Sequence, residues 1–177
     1  MKFYSTLGEI EIIDEKCFSF KSTDNVRDYP YAKNLDETER PTSIHGISLG
    51  GVPTAVFGAS RGPTCVHKHS LALLGRKNYL AVSNKVVCFE IAPFKFNWHL
   101  EIDTATCFGV YFDEQHRALL SHGELEIARF SEDGHLIWTA GGEDIFSGAF
   151  EVRTEFIQVT DFNDRVYRLN YITGECL

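Results

Sequence analysis

The sharpest chemical cluster in the sequence is Cys65-Val66-His67-Lys68-His69. Alternate residues of a strand point to one face, so a strand here would present Cys65, His67 and His69 together. A thiolate and two imidazoles suit Zn²⁺ or another borderline metal, with His45, His99 or His122 available to complete the shell. In a loop, which Pro63 and the nearby glycines favour, the same side chains would make only ordinary hydrogen bonds. A second group, Ser121-His122-Gly123-Glu124, falls at a turn between two apolar runs. There His122 and Glu124 would pair as base and orienting acid, bind a ligand, or simply satisfy backbone groups. Gly58-Ala59-Ser60-Arg61-Gly62 matches the G-x-S-x-G nucleophile elbow, which needs a helix after it; Pro63-Thr64-Cys65-Val66 does not read as one. Asp161-Phe162-Asn163-Asp164 lacks the glycine and distal glutamate of an EF-hand calcium loop. No triad, phosphate loop or complete metal set is visible. The expectation is a chain without a cofactor, with zinc at Cys65, His67 and His69 as the one alternative.

Charge narrows the partners. The net charge is −8, and it is unevenly spread. Residues 61–95 carry 6 basic and 1 acidic side chains, whereas residues 96–177 carry 5 basic and 15 acidic. An acidic chain is repelled by phosphate backbones, which argues against nucleic acid. The acidic C-terminal half suits a basic protein partner, and a second copy of the chain is the other partner considered. Arg61, Lys68, Arg76, Lys77 and Lys85 form the one anion-facing stretch, equally readable as a solvated edge. Five scattered cysteines without a C-x-x-C pair make neither a disulfide framework nor a four-thiolate site. The first residues turn acidic at once, and no stretch reaches the ~18 apolar residues of a membrane span. The expected location is cytoplasmic.

The elements that must position these groups are strands. Aromatic residues make up 13% of the chain, and methionine occurs once. That composition favours sheets over helix bundles. Residues 2–21 read as two or three short strands, including Phe18-Ser19-Phe20. Residues 22–64 read as an irregular Gly- and Pro-containing segment, with one helical turn near Leu35–Arg40 and one apolar run at Thr54–Phe57. From Ser70 onward short apolar runs alternate with turns, as in a single all-β domain spanning 1–177.

The second half repeats. Tyr79 to Ile91, Leu119 to Ser131 and Val159 to Tyr171 align at 40-residue offsets, each a strand, a polar turn and a second strand. Trp98 and Trp138 are 40 apart, as are Gly134 and Gly174, each glycine closing a turn. Segments such as Arg165 to Gly174 and Ser131 to Trp138 make this unit resemble the blades of quinoprotein-type or WD-type β-propellers. The resemblance covers roughly 78–177. It implies an antiparallel meander of propeller-like repeats, with a β-sandwich as the alternative, and makes Trp98 and Trp138 packing residues rather than ligand platforms. More loosely, Cys107 to Tyr111 and Ser121 to Glu124 resemble stretches of uncharacterised bacterial proteins, which implies no activity. The third copy ends before its Trp strand, so a strand within residues 2–13 is expected to pair beside the C-terminal strands.

The function these features favour is a non-enzymatic binding protein. One concrete form is an acidic protein that caps a basic partner, as immunity proteins cap nuclease toxins. The alternative is a metal- or small-ligand-binding protein, or a hydrolase, built on His67, His69 and His122, with Glu124 beside them.

Overall fold

The computed structural model describes all 177 residues as strands, turns and loops, without a helix. β1 (Lys2–Ser5), β2 (Gly8–Asp14), β3 (Tyr31–Asn34), β4 (Ser43–Leu49) and β5 (Val52–Ala59) form the first sheet, in the order β1-β2-β4-β5-β3. All its pairs are antiparallel except β3 with β5. The second sheet is a meander of β6 (Leu71–Leu74), β7 (Lys77–Val82), β8 (Lys85–Ile91) and β9 (Phe94–Glu101). The third is a meander of β10 (Cys107–Asp113), β11 (Ala118–Gly123), β12 (Glu126–Phe130) and β13 (Leu136–Gly141). The fourth holds β14 (Phe150–Val152), β15 (Phe156–Thr160) and β16 (Val166–Asn170), with Cys176 bridging back to Leu169.

Alternation along the strands stacks these sheets. On β7, Leu80 and Val82 face the first sheet, where they meet Ile10, Ile12, Ile47 and Phe57. Tyr79 and Ala81, pointing the other way, join Val110, Leu119 and Phe130 of the third sheet. A strand covered on both faces has no polar side to show, which is why 79–82 is an unbroken apolar run. Leu120, Ile127 and Trp138 then pack on Ile157, Val159, Tyr167 and Leu169 of the fourth sheet. Each fully buried large aliphatic side chain contributes about 2 kcal/mol, so these three seams dominate the stability of the array. No fourth seam joins the last sheet to the first. The architecture is an open, propeller-like arc of four sheets.

The 40-residue period has a structural meaning. Tyr79, Leu119 and Val159 lie on the second strands of successive sheets, and Val87, Ile127 and Tyr167 on the third. Trp98 (β9) and Trp138 (β13) lie on the fourth strands and reach across to the next sheet. A Cβ added to Gly134 would sit 2.8 Å from the Trp98 ring, and one added to Gly174 would sit 2.6 Å from Trp138. Both glycines are left-handed, with φ of 82° and 76°. The indole Nε1 of Trp98 donates to Glu132 O at 3.3 Å, and that of Trp138 to Tyr171 O at 3.2 Å. The same latch therefore joins the second sheet to the third and the third to the fourth.

Four expectations are corrected. Residues 2–13 pair within the first sheet and not beside β16, because their apolar residues Ile10 and Ile12 are consumed by the second sheet. The segment 22–64 is not irregular: it contains β3, β4 and β5, and Gly50-Gly51 (φ 57° and 81°) closes the β4–β5 hairpin. Phe18 and Phe20 are not on a strand; Phe20 packs where a Cβ on Gly58 would be, at 2.7 Å. Residues 35–38 form turns rather than a helical turn.

Gly134→Ala adds a methyl group into an indole and strains a left-handed backbone, so it is expected to destabilise by roughly 2 kcal/mol or more. Urea unfolding followed by tryptophan fluorescence measures this. An unchanged midpoint would remove the latch from the account of sheet order.

Candidate functional site

Antiparallel meanders return the chain, so the turns between second and third strands share one end of the arc with the crossovers to the next sheet. At that end the loops are joined backbone to backbone. Gly62 N donates to Ala105 O at 3.0 Å, Glu124 N to Thr106 O at 2.7 Å, Phe146 N to Glu124 O at 2.7 Å and Phe162 N to Ile145 O at 2.8 Å. Buried Asp103 is the knot. Its Oδ1 accepts from Ala105 N and Thr106 N, and its Oδ2 from Leu125 N and Glu126 N at 2.9 and 2.8 Å. Gly123 is a glycine because a Cβ there would lie 2.1 Å from that Oδ2. Asp144 does a lighter version of the same work, accepting from Asn163 Nδ2 at 2.7 Å.

This end also gathers three of the sequence-predicted histidines. Cys65, His67 and His69 lie in the loop between β5 and β6, not on a strand, so they do not share a strand face. His67 Nε2 bonds Phe108 O at 2.6 Å, and its Nδ1 accepts from His69 N at 3.2 Å. His69 stacks on Tyr111 at 4.4 Å, Tyr111 meets Phe150 at 4.6 Å, and Phe150 stacks on His122 at 4.9 Å. Phe108 closes the group edge-on to His122 at 5.4 Å. The result is a continuous imidazole and aromatic floor, drawn from the loop before β6, from β10, from the end of β11 and from the start of β14. Gly109 makes room for it: a Cβ there would lie 3.0 Å from His69.

The floor does not assemble a set of metal ligands. No three His, Cys, Asp or Glu side chains lie close enough together to hold a metal ion, which corrects the Cys65, His67 and His69 set. Both ring nitrogens of His67 are engaged with the backbone, and Cys65 is exposed and apart. His99 sits on β9 beside Phe96, away from the floor, and His45 is fully buried on β4, bonded to Thr64 Oγ1 at 2.9 Å. Nor is there an elbow: Ser60 follows β5 into a loop, with no helix after it.

Burial controls the electrostatics. His122 is 8% exposed, donates from Nε2 to Phe146 O at 3.0 Å, and is pushed down to about 4 chiefly by desolvation. His45 is pushed down to about 4 for the same reason, although Asp14 at 3.7 Å opposes the shift. His69 is lowered by burial and by Lys68 and His67. At neutral pH these rings are uncharged aromatic surface and fixed hydrogen-bonding groups, not acid–base groups poised to work. Ser121 is fully buried with an unpartnered hydroxyl, so it offers no nucleophile to His122.

The rim above the floor is acidic. Glu124 and Glu126 flank the exposed Leu125, and neither carboxylate makes an ion pair or accepts a hydrogen bond. Burial and the neighbouring Asp103 raise Glu126 above its ordinary value. Glu101 and Asp36 both reach Lys85 Nζ at 3.0 Å, and Glu143 pairs with Arg165. Sequence reasoning missed Asp103, Phe108, Tyr111 and Phe150. Gly123 beside an acid-rich turn was a faint signal for Asp103; nothing local announced the aromatic residues.

Known proteins add a fold and no more. No protein-family model matches the chain, and no curated protein matches it. Among solved structures it is similar to BamB from Moraxella catarrhalis, with a TM-score of 0.53 at 13% identity. The likeness covers 76% of this chain and 43% of that one, so the chain spans less than half of its neighbour's length. That neighbour has a β-propeller-like fold, in agreement with the four-sheet arc. No helix is long and apolar enough to cross a membrane.

The buried histidines set an acid response. Their folded values lie below the ordinary 6.5, so the unfolded chain binds protons first and stability is lost as pH falls from about 6.5 toward 4. By pH 5 each costs on the order of 2 kcal/mol. Urea midpoints at pH 7 and pH 5 should differ accordingly, and His122→Phe should remove its own share of the difference. A variant with the wild-type pH slope would contradict this account.

Proposed function

We propose that this chain is a non-enzymatic interaction protein whose loop end engages a basic protein partner. The observation that carries the reading is the composition of that end. Glu124, Glu126 and Asp164 carry no ion pair, and the apolar side chains of Leu125 and Phe162 stand beside them at 40% and 67% exposure. The nearby cations Lys85 and Arg165 are already taken by Asp36, Glu101 and Glu143. Lys68, between His67 and His69, adds a positive charge beside the floor, so the unpaired acids are those of the 124–126 turn and Asp164.

Carboxylates around an exposed apolar tip are the pattern of a polar rim with an anchoring centre, and complementary charge speeds encounter with a basic surface. The aromatic floor suits a lysine or arginine side chain arriving between the rims, since a cation over an aromatic face gains ~1 kcal/mol at an exposed site. His67, with both ring nitrogens bonded to the backbone, and the buried Ser121 disfavour the hydrolase reading. Five unpaired cysteines, three of them exposed, favour a reducing compartment such as the cytoplasm.

A lysine-rich peptide serves as the probe in a low-salt titration. Binding should weaken steeply with added salt. The triple variant Glu124→Gln, Glu126→Gln, Asp164→Asn should weaken it by about tenfold or more. Equal binding by wild type and variant would overturn the proposal.

A further inference from the structure

The first sheet departs from the repeat in one place. The second and third strands are joined by two residues in the second and third sheets (83–84 and 124–125) and by a short turn in the fourth. In the first sheet the corresponding strands, β2 and β4, are separated by residues 15–42, which contain β3. A connection of this length is uncommon within a compact domain. This one is also built to be rigid.

Buried Glu15 accepts from Tyr29 OH at 2.6 Å and from Arg27 Nη1 at 3.0 Å. Asn25 binds the loop to itself, accepting from Ser19 N at 2.8 Å and donating to Ser19 O and Ser22 O. The sheet beneath carries Gly46 and Gly58 where Tyr29 and Phe20 dock, and a Cβ at either position would collide with the ring above it.

This pinned insertion encloses a concavity of about 550 Å³, within the range of small-molecule sites. Phe18 and Phe20, edge to face at 5.2 Å, supply an apolar wall. Lys21 and Arg40 line it without an ion pair or side-chain hydrogen bond, and Lys16 reaches only Asp14, at 3.7 Å. Two of the chain's five non-glycine residues in the left-handed region, Lys21 (φ 68°) and Glu37 (φ 34°), are among its lining. Such conformations cost on the order of 1 kcal/mol or more and persist where the surrounding structure holds them. Both residues border the same space, where the cations Lys16, Lys21 and Arg40 outnumber the acids Glu37 and Glu39.

We propose that this concavity is a binding site for a small organic anion with an aromatic or apolar body. The anionic group is held by Lys21 and Arg40 and the body rests on Phe18 and Phe20. Free cations beside an apolar wall give such a ligand charge-assisted hydrogen bonds and burial together. The rigid insertion lowers the ordering cost of binding. The site lies on a different element from the acidic loop end, so neither proposal depends on the other.

The test uses benzoate and 8-anilinonaphthalene-1-sulfonate with the full chain. Amide chemical-shift mapping should show saturable changes grouped at residues 16–21 and 37–41, and benzoate should displace the sulfonate. The double variant Lys21→Gln, Arg40→Gln, at exposed positions, should keep the wild-type melting temperature and weaken both probes by about tenfold. Phe18→Ala should weaken the sulfonate more than it weakens benzoate. Shifts grouped elsewhere, binding that does not saturate, or wild-type affinity in the double variant would overturn the assignment.

Discussion

An indole ring laid over a left-handed glycine needs that glycine twice. The positive φ admits the turn, and the missing Cβ admits the ring. At Gly134 and Gly174 both needs coincide, and the indole N–H then finds a carbonyl of the same turn. The order of the last three sheets follows from this pairing. A tryptophan on the last strand of one sheet has its receptor on the turn after the third strand of the next, so shuffling these sheets would part each indole N–H from its carbonyl, and at Trp138 that donor is buried. Apolar seams pull the sheets together without direction; the latch supplies the register. The second seam shows the division of labour, since Tyr79, Phe130 and Trp98 form one aromatic group in which only the tryptophan fixes a hydrogen bond.

Once the sheets are in register, the crossovers fall side by side, and the chain spends acids on joining them. Asp103 is consumed wholly in that task, four backbone N–H groups satisfying its two oxygens. Glu124, two positions from the buried His122, is held by its backbone while its carboxylate stays free. The acid richness of the C-terminal half therefore divides into a structural part that is buried and a displayed part that faces solvent. Net charge alone mixes the two, and only the hydrogen-bond pattern separates them.

The period and most strands from Ser70 onward were legible because seams on both faces demand continuous apolar runs, and turns between them demand glycine and polar residues. The first sheet was less legible. Gly46 and Gly58 lie inside strands because aromatic rings from the insertion rest on them, so residues that look like loop formers are in fact docking floors. Phe18 and Phe20 alternate as a strand would, yet their rings serve that docking. At the site, His67, His69 and His122 were visible as residue types, but their role was set by Phe108, Tyr111 and Phe150, which arrive from other strands. Contacts between first strands of different sheets leave no mark in local spacing. The metal reading failed at the same point: in the loop before β6 the two rings meet edge to face at 6.2 Å, both His67 nitrogens are bonded to backbone groups, and no third ligand joins them.

The two outermost sheets differ in what covers them. The first has the insertion on its outer side, whereas the fourth has three strands, one packed face and an outer face carrying Phe156, Val166 and Arg168. In a nearest-neighbour array each unit is held by the interfaces it shares, so a terminal unit with one interface opens at lower free energy than an interior unit with two. Amide protons of β14 to β16 then exchange with solvent through a local opening that breaks the seam at Ile157, Val159 and Leu169. Those of β7 and β8 exchange only when the whole array comes apart.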